Sequence, residues 1–195
     1  GCGNGTQTRF LADHFAKVFE IEYLDQNGQK KLPHQTSWGL STRAIGALVL
    51  SHGDDSGLIM PPRVASHQVV ILPVDAESVE VKGYAEKLFT ELKNNGIRAV
   101  LDTDAEHSLG YRINEWELKG VPVRLEVGKR ELMSQAITAV RRDTFAKETF
   151  SEASLAPKVR ELLDLIQQNL FDQSKKTKRE LTSEVATYDE FKKLL

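Results

Sequence analysis

Apolar residues recur along this chain with two periods, and the change from one to the other marks its organisation. Phe10, Leu11, Phe15, Val18 and Phe19, with His14 among them, fall at three- and four-residue intervals. That spacing predicts an amphipathic helix from about Thr8 to Phe19. Glu20 to Leu24 alternates and predicts a strand. Asp25-Gln26-Asn27-Gly28 reads as the following turn, because Asn-Gly accepts positive φ cheaply, and Gln35 to Leu40 is the expected partner strand. Ser41-Thr42 offers hydroxyl caps for a helix whose inner face would carry Ile45, Leu48 and Val49. His52-Gly53-Asp54-Asp55 reads as its termination, with Gly53 at positive φ.

Pro61-Pro62 breaks the periodicity, and a second unit opens at Gln68. Val69-Val70-Ile71-Leu72 has the unbroken apolar character of a buried parallel strand. Ala85, Leu88, Phe89 and Leu92 form the inner face of a helix ended by Asn94-Asn95-Gly96, and Ile97 to Leu101 supplies the next strand. Val121, Val123, Leu125 and Val127 alternate as a further strand, and Ile137 to Val140 can form another. The expected result is a three-layer α/β domain of about 90 residues. From Leu155 the spacing of Val159, Leu162, Leu163, Ile166 and Leu170 predicts a long helix, continued as a solvated face through Lys175-Lys176-Thr177-Lys178-Arg179-Glu180. Tyr188, Phe191, Leu194 and Leu195 form a last short apolar stripe.

A length of 195 residues accommodates one full domain plus part of another. The chain is 40% hydrophobic and 28% charged, without an apolar run near the ~20 residues of a membrane span, so no membrane role is expected. A formal net charge of -2 excludes the uniformly basic field of a nonspecific nucleic-acid binder; any RNA contact must be a local patch. The single cysteine, Cys2, forms no internal disulfide and no four-cysteine zinc site, which suggests a reducing, cytoplasmic setting. His34 and His52 have no metal-ligand partner at suitable spacing. The start Gly1-Cys2-Gly3 lacks methionine and the parts of a signal peptide, and reads as a piece of a longer protein.

Arg43 falls in the first turn of a predicted helix, where backbone N–H groups and the helix dipole favour anions; the plainer reading is a surface arginine. Trp38 can wall a compact ligand, and Gly39 beside it permits close backbone approach, while an isolated strand tryptophan is equally a core residue. Asp102, Asp104, Arg112, Glu115, Glu117 and Lys119 are read on one loop and helix start, with Arg124 on the strand after. They offer acceptors for guanine N1–H and N2–H and donors for O6 and N7, or an ordinary solvated face. Arg141-Arg142 and Lys129-Arg130 are at best phosphate contacts.

The run His34-Gln35-Thr36-Ser37-Trp38-Gly39-Leu40-Ser41-Thr42-Arg43-Ala44-Ile45-Gly46, then Ser51-His52-Gly53-Asp54-Asp55-Ser56-Gly57-Leu58-Ile59-Met60-Pro61-Pro62-Arg63-Val64-Ala65, resembles the third signature motif of class II aminoacyl-tRNA synthetases in its prolyl form. The resemblance continues through Trp116-Glu117-Leu118-Lys119-Gly120-Val121-Pro122-Val123-Arg124 and Ala139-Val140-Arg141-Arg142-Asp143. It implies the end of a class II antiparallel-sheet catalytic domain over 1–66, an anticodon-binding domain over 67–153, and a helical start of a carboxyl-terminal extension over 154–195. By the same resemblance Arg43 is the ATP-binding arginine with Ser41 beside it, Ser37, Trp38 and Gly39 floor a proline pocket, and Asp102 to Arg124 read the anticodon. The implied parent is a homodimeric enzyme of the archaeal and eukaryotic type that joins proline to its tRNA through a prolyl-adenylate, with ATP and Mg2+. The piece itself lacks the first and second motifs and is expected to be inactive alone. Gly5-Thr6-Gln7-Thr8-Arg9 departs from the family's Gly-Thr-Ser-His segment, which leaves Thr6, Thr8 and Arg9 as weak candidates. It also keeps open a non-catalytic RNA-binding accessory protein.

Overall fold

The structure, a computed structural model, describes residues 13–35 and 41–194. Internal contacts divide the chain into two units, Gly1–Ala44 and Ile45–Leu195.

In the first unit, residues 13–18 are helical (α1). Ala16 is fully buried, and the rings of Phe15 and Phe19 stack at 6.3 Å between centroids. Glu20 leaves the helix at φ 53°. Strands β1 (Tyr23–Leu24) and β2 (Lys30–Lys31) then pair antiparallel, Tyr23 opposite Lys31 and Leu24 opposite Lys30. The partner of the first strand is therefore Lys30–Lys31, not the Gln35–Leu40 segment expected from sequence, of which residues 36–40 lie outside the described residues. The Asp25 carboxylate decides this: its Oδ1 accepts from the backbone N–H groups of Asn27 (2.8 Å) and Gln29 (2.9 Å), and Gly28 takes φ 71°. The chain turns within five residues. Lys31 lies 2.7 Å from Asp25 and, as the leading cause, holds its carboxyl below the usual value.

Helix α2 (Arg43–His52) follows. It opens through a backbone turn, the Ala44 N–H donating to the Ser41 carbonyl at 3.0 Å. The expected inner face is not buried: Ile45 and Val49 are exposed, Leu48 is half-buried, and no residue of α2 is fully covered. Gly53 is not at positive φ; that conformation falls at Gly57, φ 126°.

The second unit is built on a five-stranded sheet in the order β4-β3-β5-β6-β7, where β3 is Val69–Pro73, β4 Ala99–Leu101, β5 Val123–Val127, β6 Ala136–Arg141 and β7 Lys147–Ser151. β3 runs parallel to both β4 and β5; β6 and β7 add antiparallel. Every residue of β3 is buried, as its unbroken apolar run predicts. β5 alternates, with Val123, Leu125 and Val127 buried and Arg124 and Glu126 half-buried on the other face. Helix α3 (Val79–Asn94), capped by Ser78, and helix α6 (Leu155–Glu180) cover the first of these faces. Their Val81, Ala85, Leu88, Leu92, Val159, Leu162, Ile166 and Leu170 close one core with the sheet. Helix α4 (Leu109–Leu118) lies on the other face, where its Trp116 and Glu117 meet Val70, Arg124 and Val140. This completes three layers. A short α5 (Lys129–Ser134) precedes β6, a 3-10 turn (Glu152–Ser154) precedes α6, and α7 (Tyr188–Leu194) ends the described chain.

The connecting segment after α2 is clasped by the sheet domain. The Leu58 N–H donates to the Leu118 carbonyl at 3.2 Å, and the Met60 N–H donates to that of Gly120 at 3.0 Å. Backbones this close leave no room for side chains: a Cβ on Gly57 would sit 2.6 Å from Leu118 Cα, and one on Gly120 2.4 Å from the Leu58 carbonyl oxygen. Farther along, the Arg98 guanidinium donates to the carbonyls of Pro62 and Ala65, both at 2.9 Å.

Candidate nucleic-acid interface

α3 leads from β3 to β4 across one face of the sheet, and α4 returns from β4 to β5 across the other, so the direction of winding switches at β3. In open α/β sheets such a switch leaves a crevice at the carboxyl ends of the strands, where ligands bind. Here the crevice is a groove of about 320 Å³ lined by Asp102, Asp104, His107, Tyr111, Glu115 and Lys119 together with Leu101, Thr103, Arg112 and Trp116. Five of the seven charged residues singled out from sequence therefore converge on its wall or rim. Glu117 and Arg124 lie elsewhere.

Asp102 is the anchor. It follows β4, is 6% exposed, and its N–H donates to the Ile71 carbonyl at 2.9 Å. Its Oδ1 accepts from Arg112 Nε at 3.0 Å and its Oδ2 from the indole N–H of Trp116 at 2.6 Å. Arg112, 2% exposed, also donates through Nη1 to the Pro73 carbonyl at 3.0 Å, at the end of β3. A buried guanidinium needs this compensation, and it leaves Arg112 turned inward, as a support of the groove.

The rim is free. Asp104 accepts at Oδ1 from the N–H groups of Glu106 (2.9 Å) and His107 (3.2 Å), and its Oδ2 lies 2.7 Å from His107 Nδ1. That last bond is the main reason the Asp104 carboxyl is held below its ordinary value. His107 in turn stacks on Tyr111 at 4.3 Å between centroids and 19° between planes. Both rings are exposed. Lys119 closes the groove at the C-terminus of α4, its Nζ 4.6 Å from the centre of the Trp116 ring and 3.6 Å from Glu115. A flat aromatic pair beside a carboxylate, a lysine and a glutamate provides a stacking surface and both kinds of hydrogen-bonding group for an unpaired base.

The sequence placed Asp102 to Lys119 on a loop and helix start; α4 in fact runs from Leu109, with Glu115 and Glu117 in its later turns and Lys119 as its cap. Glu117 and Arg124 form a half-buried pair at 2.7 Å between α4 and the sheet face it covers, extended by Glu126 at 3.1 Å. Arg141 and Arg142 are not available to phosphates. Arg142 is 3% exposed and grips Asp54 at 2.6 and 2.8 Å, and Arg141 holds the fully covered Asp143 carboxylate at 2.7 and 2.9 Å. Each has its carboxylate within reach, so burial is compensated. Lys129 pairs with Asp75 at 3.2 Å.

His107 and Tyr111 escaped the sequence reading. Their signal was an i, i+4 aromatic pair flanking the cap residue Ser108, whose hydroxyl accepts from the Tyr111 N–H at 3.3 Å. Of the residues read toward ATP and proline, Ser37, Trp38 and Gly39 lie outside the described residues, as do Thr6, Thr8 and Arg9. Ser41 and Arg43 are exposed at the start of α2. Among the described residues no cluster of three or more histidine, cysteine or acidic side chains is arranged to hold a metal ion, and no helix is long and apolar enough to cross a membrane.

Known proteins resemble the chain along nearly all of its length. The family model "Anticodon binding domain" matches residues 68–162, from the start of β3 into α6. The chain is 45% identical over 187 residues to a proline–tRNA ligase of Rubrobacter xylanophilus, covering 95% of this chain and 39% of that protein. It is 40% identical over 194 residues to the cytoplasmic proline–tRNA ligase of Arabidopsis thaliana, covering 98% and 37%. The crystal structure of prolyl-tRNA synthetase from Cryptosporidium parvum, complexed with halofuginone and AMPPNP, superposes with a TM-score of 0.84 at 36% identity over 93% of this chain and 37% of that one. The chain thus spans under two-fifths of the length of these relatives. Nearly all of its own length is accounted for by them, and it belongs to the prolyl-tRNA synthetase family.

Proposed function

We propose that this chain is the anticodon-reading portion of a proline–tRNA ligase, with the end of its catalytic domain attached. In this reading 1–66 close the catalytic domain, 67–153 bind the anticodon of tRNA(Pro), and 154–195 begin an extension. The whole enzyme would form prolyl-adenylate from L-proline and ATP and transfer the prolyl group to tRNA, as a cytoplasmic homodimer. The observation that carries the reading is the groove at the switch of the sheet: a stacked His107–Tyr111 pair beside Asp104, Glu115 and Lys119, in a domain whose relatives are named for joining proline to tRNA. These names favour the ligase over a non-catalytic accessory protein.

Within the groove, Asp104 and Glu115 would accept from guanine N1–H and N2–H, and Lys119 would donate to O6 or N7. Asp102, Arg112 and Trp116 would position them. Glu117 and Arg124 would flank the loop from the α4 side of the sheet. For adenylate formation Arg43, at the start of α2 and without an ion-pair partner among the described residues, would bind the outer phosphates of ATP beside Ser41. Ser37, Trp38 and Gly39 would shape the proline pocket. The described residues offer no acidic cluster for Mg2+.

The test is binding of this chain to a proline tRNA with its native anticodon, beside the same tRNA with both anticodon guanines replaced, at one moderate salt concentration. Selective loss on replacement is expected; equal binding of both sinks the anticodon-reading role.

A further inference from the structure

Helix α6 outlasts the domain it packs on. Its last buried residue is Leu170, yet it continues to Glu180, ten residues that carry it ~15 Å beyond the core at 1.5 Å per residue. The direction of this extension follows from the bonds along α6. It starts beside β7, and near its middle the Asn169 side chain donates to Asp143, in the β6–β7 turn, at 2.7 Å. That turn sits beside Val123, the first residue of β5, which pairs with Arg141. The extension therefore projects past the amino ends of the parallel strands, at the opposite end of the sheet from the groove.

Every residue of the extension is exposed, and its charges are sorted. Lys175, Lys178 and Arg179 stand at i, i+3 and i+4 and share one side of the helix, opposite the buried stripe. None has an ion-pair partner among the described residues, whereas Asp172 receives a hydrogen bond from Gln168 at 3.0 Å and Glu180 lies 3.8 Å from Lys176. Three unpaired cations thus form a ribbon in a chain whose net charge is -2. One exposed ring, Phe171, stands a turn before Lys175 on the same side. A single ring does not make the apolar face by which an amphipathic helix lies in a bilayer. Clustered cations beside a ring suit the phosphates of a nucleic-acid strand.

We infer that Lys175, Lys178 and Arg179 form a second, sequence-independent contact with the phosphate backbone of the RNA whose loop enters the groove. The inference rests on the anticodon-binding reading for the identity of the RNA. With contacts at both ends of the sheet, the groove would select the RNA and the helix would add affinity and orientation without selectivity.

The experiment is a salt titration of binding by the 195-residue chain and its Lys175→Gln/Lys178→Gln/Arg179→Gln variant, using proline tRNA transcripts with native and guanine-replaced anticodons. Glutamine keeps the helix, which circular dichroism would verify. Losing three phosphate contacts should reduce the slope of log affinity against log salt by about 2, with preference for the native anticodon unchanged. An unchanged slope with preference intact overturns the ribbon and leaves the anticodon reading standing. A loss of preference in the variant also overturns it, because the residues would then serve the groove. If the unmodified chain itself shows no preference, the anticodon reading fails, while the slope comparison on the same RNA still decides the ribbon. Transfer of the effect to phosphatidylserine vesicles, with the RNA slope unmoved, overturns it in favour of a membrane surface.

Discussion

The indole N–H of Trp116 donates to one oxygen of the Asp102 carboxylate at 2.6 Å while Arg112 holds the other at 3.0 Å, so one buried carboxylate joins the end of β4 to two turns of α4. Removing it would strand the Arg112 charge in the interior. Asp102→Ala should therefore destabilise the chain by about 3–5 kcal/mol, read as a lowered urea midpoint. A loss under about 1 kcal/mol would mean that water replaces the carboxylate and that the network is not what fixes the groove wall.

Gly120 and Gly96 separate two reasons for a glycine. Both take left-handed φ, 72° and 73°, but a Cβ on Gly96 meets nothing within 4 Å, whereas one on Gly120 falls 2.4 Å from the Leu58 carbonyl oxygen. Gly96→Ala is expected to cost only the conformational penalty, about 1–2 kcal/mol. Gly120→Ala adds the displacement of the Gly57–Met60 segment and should cost at least ~1 kcal/mol more. Equal losses in thermal or urea unfolding would show that this segment moves aside freely.

Gly57 and Gly120 show what the sequence could disclose. Gly57-Leu58-Ile59-Met60 and Leu118-Lys119-Gly120 were visible as motifs, but only the structure shows them hydrogen-bonded to each other. The apolar run of β3 and the alternation of β5 were legible because burial on two faces and on one face imposes different periods. β7 was not: Lys147-Glu148-Thr149-Phe150-Ser151 lies at the sheet edge and buries only Phe150, which leaves too few apolar positions to show a period. The charged candidates were found by type, yet type cannot separate Asp104, at the rim, from Arg142, sealed against Asp54. That distinction depends on partners 88 positions away in sequence.

The Asp54–Arg142 pair predicts a response to acid. Arg142 is the leading cause that holds the Asp54 carboxyl below its ordinary value. A carboxylate depressed on folding stabilises above its unfolded pKa, near 3.9, and that contribution is lost as pH falls through the lower folded value. Asp54 is about a third exposed, so solvent screening limits the effect to about 1 kcal/mol. The difference in melting temperature between the unmodified chain and Asp54→Asn should be constant from pH 7 to 5 and shrink below about pH 4. A difference that persists at pH 2 would assign it to hydrogen bonding that survives protonation.

Arg43 carries a prediction for a full-length enzyme containing this segment. If its guanidinium meets the outer phosphates of ATP, Arg43→Ala should slow proline-dependent exchange of pyrophosphate into ATP by at least ~100-fold, the scale of losing one charge contact in the transition state. The side chain is exposed at the first turn of α2, so the melting temperature should stay within a degree or two. Unchanged exchange removes Arg43 from the ATP site.

The stacked pair at the groove rim gives the last and most local prediction. His107 is held by Asp104 and Tyr111 rests on His107, so the two rings form a surface already in place before any base arrives. Stacking of a base on an aromatic side chain is worth about 1–3 kcal/mol, and this pre-arrangement means little ordering entropy opposes it. Tyr111→Ala should weaken binding of the native proline tRNA by roughly 5- to 150-fold, the same range expressed as affinity. Tyr111→Phe keeps the ring and should bind nearly as the unmodified chain does. Both variants change an exposed side chain and should fold normally. If alanine and phenylalanine weaken binding alike, the hydroxyl and not the ring makes the contact; if neither weakens it, the base enters elsewhere and the groove loses its strongest claim.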